Sequence, residues 1–431
     1  MQILRVIELG TSSSKDYVIR VADSPLEVDA AAWDALAAAQ SLPSPFMRHA
    51  YLAAMHSSGS ATPKTGWTPR FVTVSKGSEL QAACALYLKS HSYGEYVFDW
   101  AWADAYRQHG LHYYPKALAA VPFTPVPGAR LLAVDAAARQ ALLKGLLAVC
   151  EAESASSLHL LFLSGEDTAA CAEAGLMLRH GVQFHFLNPG YADFDAFLAS
   201  LSQEKRKKIR QERRKVAEAG VSFRWSRGAD IAPADWDFFY RCYERTYLEH
   251  GNAPYLTREF FRRMERDMPE NWLLFVGERF GKPIATSLIA VQDQYTGALG
   301  TFGTEKGNSA AYGRYWGALE RVDCLHFEAC YYQPLAWCIE HGIARFEGGA
   351  QGEHKMARAL LPIQTTSAHW LAHPAFADAV DRFLERESEG IDHYLDELRE
   401  RSPFRHAASE SCVPRASGLP DSPDSTPTQE P

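Results

Sequence analysis

Residues 273–292, LLFVGERFGKPIATSLIAVQ, read as an apolar strand, a polar Gly-containing turn and a second, longer strand. Residues 70–89, RFVTVSKGSELQAACALYLK, follow the same order. The likeness is one of pattern rather than identity, and it points to a duplicated unit. Around the first copy lie strand-like runs at 17–22 (YVIRVA) and 158–164 (LHLLFLS), and Ala- and Leu-rich helical patterns at 24–40 and 134–154. Around the second lie a strand at 221–226 (VSFRWS), helices at 234–249 and 257–267, and a strand pattern at 295–304 (YTGALGTFGT). This alternation predicts an α/β layer architecture.

The two copies flank 193–220, a segment in which Phe194, Phe197, Leu198, Leu201, Ile209 and Val216 can share one helical stripe and Gly220 ends the run. The expected organisation is a first domain over 15–192, a basic helix over 193–220, and a second domain over 221–400 closed by a charged helix at 374–400. Residues 401–431 are rich in Ser and Pro, with too few large apolar groups to offset the entropy of ordering, and predict a disordered tail.

Bulk properties agree with two cores. The chain has 431 residues, more than one core usually fills, and 47% are hydrophobic. A formal net charge of −8 argues against a surface built as a whole to coat DNA or an anionic membrane. No export signal opens the sequence and no run approaches a membrane span, so a cytoplasmic protein without integral membrane contact is expected. Eight cysteines without a C-x-x-C pair suit reduced, buried thiols, and no metal site is expected.

Four segments could carry chemistry. In EGGAQGEHKMARALLPIQTTSAHW (347–370), a short strand ends on Gly348-Gly349, so the backbone can approach a ligand closely. The side chains of Glu347, Gln351, Glu353, His354, Lys355 and Arg358 follow at the end of a sheet, where α/β proteins bind ligands. The aromatic block 96–132 is broken by prolines and offers Asp104, Tyr114 and Lys116 as polar handles, either on a pocket wall or among packing aromatics. KRKKIRQERRK (205–215) holds eight basic residues, Lys208 and Arg210 among them; it can grip phosphate or form a solvated face. YLEHGNAPYLTREFF (247–261) is explained by helix capping alone. His369 and His373 have the spacing of a zinc pair, but Pro374 suits the first turn of the next helix and leaves them on a strand or loop. The chain has no G-x-S-x-G elbow, Walker loop or G-x-G-x-x-G fingerprint, which removes support for serine hydrolases, P-loop enzymes and Rossmann dehydrogenases.

The blocks DWAWADAY…YYPKALAAVPFTPVPGARLL (99–132), KRKKIRQERRKV (205–216) and YWGALERVDCLHFEACYYQPLAWCIEHGIARFEGGAQGEHKMARALLPIQTTSAHW (315–370), in that order, resemble the FemAB-like branch of the GCN5-related N-acyltransferase (GNAT) superfamily. The resemblance spans about 15–375. It implies two tandem GNAT-like domains with mixed sheets flanked by helices, and transfer of an acyl or aminoacyl group from an activated ester or thioester to a small-molecule or peptide amine. On that footing Glu353 or His354 would accept the proton, with Glu347 either catalytic or orienting Lys355. Lys355 and Arg358 would anchor a phosphate or carboxylate, and Gly349 and Gln351 would orient a carbonyl. The (Q/R)-x-x-G-x-(G/A) phosphate loop of acetyl-CoA users is missing, NSAAYGRYWGA (308–318) being the nearest stretch. The donor is therefore acyl-CoA as co-substrate or an aminoacyl-tRNA, the latter touching the basic helix. A non-catalytic module that recognises a peptidoglycan-type peptide or glycan is the alternative; it predicts a scattered, exposed cluster, whereas catalysis predicts one converging on Asp104, Tyr114 and Lys116.

Overall fold

The computed structural model describes residues 5–7, 17–293, 309–350 and 352–405. Its strands are β1 (Arg5–Ile7), β2 (Tyr17–Ala22), β3 (Trp67–Lys76), β4 (Glu79–Lys89), β5 (Lys116–Ala119), β6 (Leu132–Ala133), β7 (Ser157–Leu160), β8 (Met177–Leu187), β9 (Val221–Arg227), β10 (Trp272–Arg279), β11 (Lys282–Gln292), β12 (Ala310–Ala318), β13 (Arg345–Glu347) and β14 (Leu361–Leu371). Its helices are α1 (Ala30–Ala38), α2 (His49–Ser57), α3 (Trp100–Gln108), α4 (Ala136–Ala152), α5 (Gly165–Glu173), α6 (Phe194–Ser200), α7 (Gln203–Glu218), α8 (Pro233–Glu249), α9 (Arg258–Asp267), α10 (Leu325–Phe327), α11 (Gln333–Glu340) and α12 (Pro374–Glu400). None is long and apolar enough to cross a membrane.

All the strands join one sheet in the order β1-β2-β3-β4-β5-β7-β14-β8-β13-β12-β11-β10-β9, with β6 beside β4. The order from β2 to β9 is the same from both ends. A three-stranded antiparallel meander (β2-β3-β4 or β9-β10-β11) is followed by an antiparallel neighbour (β5 or β12). Next comes a parallel strand (β7 or β13), reached through a helical crossover. The duplication expected from 70–89 and 273–292 is therefore present in the topology, as β3-β4 and β10-β11. The two copies exchange their last strand: β8 pairs with β13, β14 pairs with β7, and the two exchanged strands pair with each other. Across the chain, β8 and β14 each complete the other half's sheet.

Burial follows the same plan. On one face, α1, α2, α8 and α9 supply residues to a single core shared by both halves, including Trp33, Tyr51, Tyr243, Phe260 and Phe261. The other face holds two separate cores, one under α4 and one under α6 and α11. Gly317 lets α8 lie directly on β12, since a Cβ there would stand 2.0 Å from the carbonyl oxygen of Cys242.

Two expectations change. Segment 193–220 is two helices, α6 and α7, rather than one. Leu201 turns extended between them and bridges Phe404, while the Ser202 and Arg405 amides donate to Pro403 and Ser200. Tertiary hydrogen bonds thus replace the helical ones and also hold residues 402–405 in place, within the stretch assigned to the tail; 406–431 lie outside the described residues. Residues 310–318, weighed as a phosphate loop, are strand β12. The strand expected at 295–304 falls outside the described residues.

Candidate functional site

Strand β12 runs for nine residues, but its parallel partner β13 covers only the first three, pairing Ala310 with Arg345, Ala311 with Phe346 and Tyr312 with Glu347. Beyond Tyr312 the two strands part. Gly348 and Gly349 begin the chain's departure, Gly349 with φ +81°, and the segment returns through a 3-10 turn, Glu353–Arg358, before entering β14. Among the described residues, no hydrogen bond uses the amides of Gly348, Gly349 or Ala350.

A bulge in β12 sets what faces this gap. Leu288 pairs with Tyr315 and Ile289 with Gly313, leaving Arg314 as the extra residue. Bulges re-aim side chains, and here Arg314 and Tyr315 turn toward the same shared core, with the Arg314 guanidinium 5.8 Å from the rings of both Phe46 and Tyr312. Glu347, 1% exposed, accepts from Arg345 Nε at 3.1 Å, and its Oε2 lies 3.5 Å from Arg314 Nη2 without a hydrogen bond. Burial raises the Glu347 carboxyl above the ordinary range, although Arg345 and Arg314 oppose it. Lys355, 3% exposed, donates to the carbonyls of Gly349 (2.9 Å) and Ala350 (3.1 Å). Burial, followed by Arg314, lowers its amine to about 8. His185 lies beside Glu347 on β8 and is held neutral by burial and the surrounding cations.

The other expected site residues lie elsewhere. Glu353 is on the surface, accepting from Tyr394 at 2.7 Å and Arg401 at 3.4 Å. His354 is exposed, 3.3 Å from the Tyr331 hydroxyl, and its pKa is lowered by desolvation and by Lys355 and Arg358. Arg358 is buried but points to the opposite face, where Glu212 of α7 accepts its Nη2 at 3.0 and 3.1 Å. Gln351 lies outside the described residues. On α7, Lys208 and Arg210 are exposed. Arg210 approaches Asp195 at 3.7 Å, while Arg206, Lys207 and Lys208 have no acidic partner among the described residues.

Asp104, Tyr114 and Lys116 do not face the Gly-Gly junction, although Arg130, near the end of the same block, lies close enough to act on Glu347. Asp104 is exposed on α3 and pairs with Arg107. Tyr114 shares a 2.9 Å hydrogen bond with Ser92. Lys116 is fully buried, donating to Ser92 at 2.8 Å, to Glu95 at 2.7 Å and to Asp99. Around it lie Lys89, Tyr113 and the buried pair His159–His369, whose Nδ1 atoms are 2.7 Å apart. Four strand steps separate β5 from β13, about 19 Å across the sheet at the usual spacing. Among the described residues, no hydrogen bond, ion pair or ring contact joins Asp104, Tyr114 or Lys116 to the 347–358 cluster. The sequence places these three residues and the junction in different halves, and the strand order keeps them apart. Reasoning from sequence missed Arg314, Tyr312 and His185. The available signal was the run AAYGR, whose small and aromatic residues suit a strand beside a close backbone contact.

Among the described residues no cluster of His, Cys, Asp and Glu could hold a metal. The FemAB-like family model, described as peptidoglycan biosynthesis/recognition, matches residues 24–406. No curated protein matches the sequence. Among solved structures, FemX aligns with a TM-score of 0.50 and 11% identity, covering 82% of this chain and 98% of its own. The C-terminal domain of a putative lysylphosphatidylglycerol synthetase from Agrobacterium fabrum aligns at 0.50 and 12%, covering 83% and 96%. A tandem GNAT protein from the clavulanic acid biosynthesis pathway aligns at 0.40 and 11%, covering 83% and 99%. The two halves of the sheet repeat one strand order, the tandem arrangement that the resemblance implied.

Proposed function

The chain belongs to the FemAB-like family of peptidoglycan biosynthesis and recognition, and on that premise we propose that it is an N-acyltransferase working at the gap between β12 and β13. The reaction moves an acyl or aminoacyl group from an activated ester or thioester to an amine. The neutral amine attacks the donor carbonyl carbon, and a C–N bond forms as the C–O or C–S bond to the donor breaks. The proton shed by the nitrogen goes to a carboxylate, and the leaving alkoxide or thiolate takes up a proton in turn.

The observation that carries this reading is Glu347: a buried carboxylate with one oxygen free of hydrogen bonds and a pKa raised by burial, beside three backbone amides that make no hydrogen bond among the described residues. A base shifted toward neutrality can take an ammonium proton, and the Gly348–Ala350 amides can receive the developing oxyanion. Of the three expected catalytic groups, we assign the proton to Glu347, because Glu353 and His354 are held on the surface. The recognition-only alternative draws on the surface position of those two, yet it leaves a buried, raised-pKa acid at the strand end without a purpose.

Arg206, Lys207 and Lys208 on α7 favour a polyanionic donor such as aminoacyl-tRNA over acyl-CoA, with a peptide-class amine as acceptor. The full chain is incubated with mixed aminoacyl-tRNAs or acyl-CoAs and an amine acceptor, and release of deacylated tRNA or free thiol is followed. Glu347→Gln is expected to cut turnover by about 10²–10⁴-fold. A tRNA-dependent reaction should also weaken steeply between low and moderate salt. Full turnover in Glu347→Gln on a substrate the wild type uses would remove the assignment.

A further inference from the structure

At the same gap, Arg314 and Arg345 lie beside Glu347, and Lys355 lies near Arg314. Arg345 is satisfied by Glu347, and the Lys355 amine is bonded only to two carbonyls. Arg314 is the outlier. Its side chain is 5% exposed, Nη1 donates to the adjacent Gly313 carbonyl at 2.9 Å, and Nε and Nη2 have no hydrogen-bond partner. Those two nitrogens form the side-on edge of the guanidinium, the edge that grips two oxygens of one carboxylate or phosphate in parallel. Glu347 Oε2 faces Nη2 at 3.5 Å as an ion pair without a hydrogen bond, so both donors of the edge go unused, and burial depresses the guanidinium's pKa.

Strand alternation puts Arg314 on the same face as Tyr312, and the bulge brings Tyr315 onto that face beside it. The surrounding walls are Phe46 and the tyrosines 51, 312 and 315, and Gly349 packs beside Nη1, where a Cβ would stand at 3.4 Å.

We propose that the Arg314 edge, supported by Lys355, is a subsite for an oxyanion carried by a substrate, and that it determines which substrates the gap accepts. The inference rests on the transferase reading and deepens it. Two sources share this chemistry: the carboxylate of a peptide-class acceptor and a phosphate of a nucleotide-bearing donor. The planar two-donor edge fits either. An uncharged amine acceptor with an uncharged donor would leave two buried cations unanswered.

The test measures binding without turnover. Thermal unfolding of the full chain is followed against N-acetylglycine in one arm and inorganic pyrophosphate in the other. One probe is expected to raise the midpoint saturably, and the arm that does so identifies the source. Arg314→Met should weaken that probe by about 10–100-fold. Without a ligand, the same variant loses the ion pair to the buried Glu347 and should unfold at a lower midpoint, so each protein's ligand-induced shift is read against its own unliganded midpoint. If Arg314→Met does not fold, Arg314→Lys, which keeps the charge and loses the two-donor edge, is held to the same affinity loss. No saturable shift from either probe, or equal affinity in wild type and variant, overturns the subsite. Anion binding that survives the loss of any detectable transferase activity would remove the enzyme reading and leave the subsite. Turnover that is indifferent to Arg314 would do the reverse.

Discussion

Replacing Glu212 tests how the basic helix is joined to the loop that carries Lys355. Glu212 accepts Arg358 Nη2 at 3.0 and 3.1 Å and also the Tyr332 hydroxyl, and the side chains of the pair are 3% exposed for Arg358 and 10% for Glu212. In Glu212→Met the guanidinium keeps only the His354 carbonyl, at 2.8 Å, and the face of Phe327, whose ring centroid lies 3.6 Å away. Breaking a buried pair by removing one partner costs about 3–5 kcal/mol. The retained cation–π contact returns roughly 1 kcal/mol of that, and the orphaned Tyr332 hydroxyl adds about 1. The expected loss is therefore about 3–5 kcal/mol. Arg358→Met should cost about 2–4 kcal/mol, because the carboxylate it leaves behind still has Tyr332. The double variant replaces both charges by apolar groups of similar length and should fall well short of the sum, by a coupling of about 2 kcal/mol or more. Urea unfolding followed by tryptophan fluorescence measures all four proteins. Losses that add to within about 0.5 kcal/mol would show that the two side chains do not act as a pair.

Two further outcomes follow from the geometry. Gly317→Ala places a Cβ 2.0 Å from the Cys242 carbonyl oxygen, so α8 must move away from β12 by more than an ångström; a loss of about 3 kcal/mol or more is expected in the same urea measurement, and a loss under about 1 would contradict the close packing. Within the buried network around Lys116, the contributions of Glu95 and Lys89 should together pass through a minimum near pH 7, while His159 and His369, whose pKa values burial lowers, add stability as pH rises toward 6.5. Burial raises Glu95 from 4.5 to about 7, so the folded chain holds a proton there that the unfolded chain has lost, and stability falls as pH rises between those values. Burial lowers Lys89 from 10.5 to about 7, so above pH 7 the unfolded chain holds the extra proton and stability climbs again. Thermal midpoints at pH 5, 7 and 9 should show these limbs as differences from variants: the wild type should lose ground to Glu95→Gln between pH 5 and 7 and gain on Lys89→Met between pH 7 and 9. A profile unchanged by both substitutions would refute this origin.

The candidate site was legible in part. Glu347, Gly348, Gly349 and Lys355 stand together in the sequence, and a strand ending on two glycines is a local signal that survives into the structure. Their partner Arg314 could not be found this way. Its setting depends on a one-residue bulge that brings Tyr315 onto its face, a property of strand pairing rather than of any neighbouring residue. Glu353 and His354 looked equivalent to Glu347 by proximity, but a 3-10 turn carries both outward to Tyr394, Arg401 and Tyr331.

Periodicity alone determined the α/β class and the paired strand-turn-strand units, because side-chain alternation and helical spacing are set by the backbone within a few residues. Which strand lies beside which was decided only in three dimensions. The exchange of β8 and β14 joins segments far apart in the chain, puts Lys116 of the aromatic block four strands from the Gly-Gly junction, and closes one core across both halves. Strand order is selected by the burial of whole faces at once, and no local stretch of residues records that total.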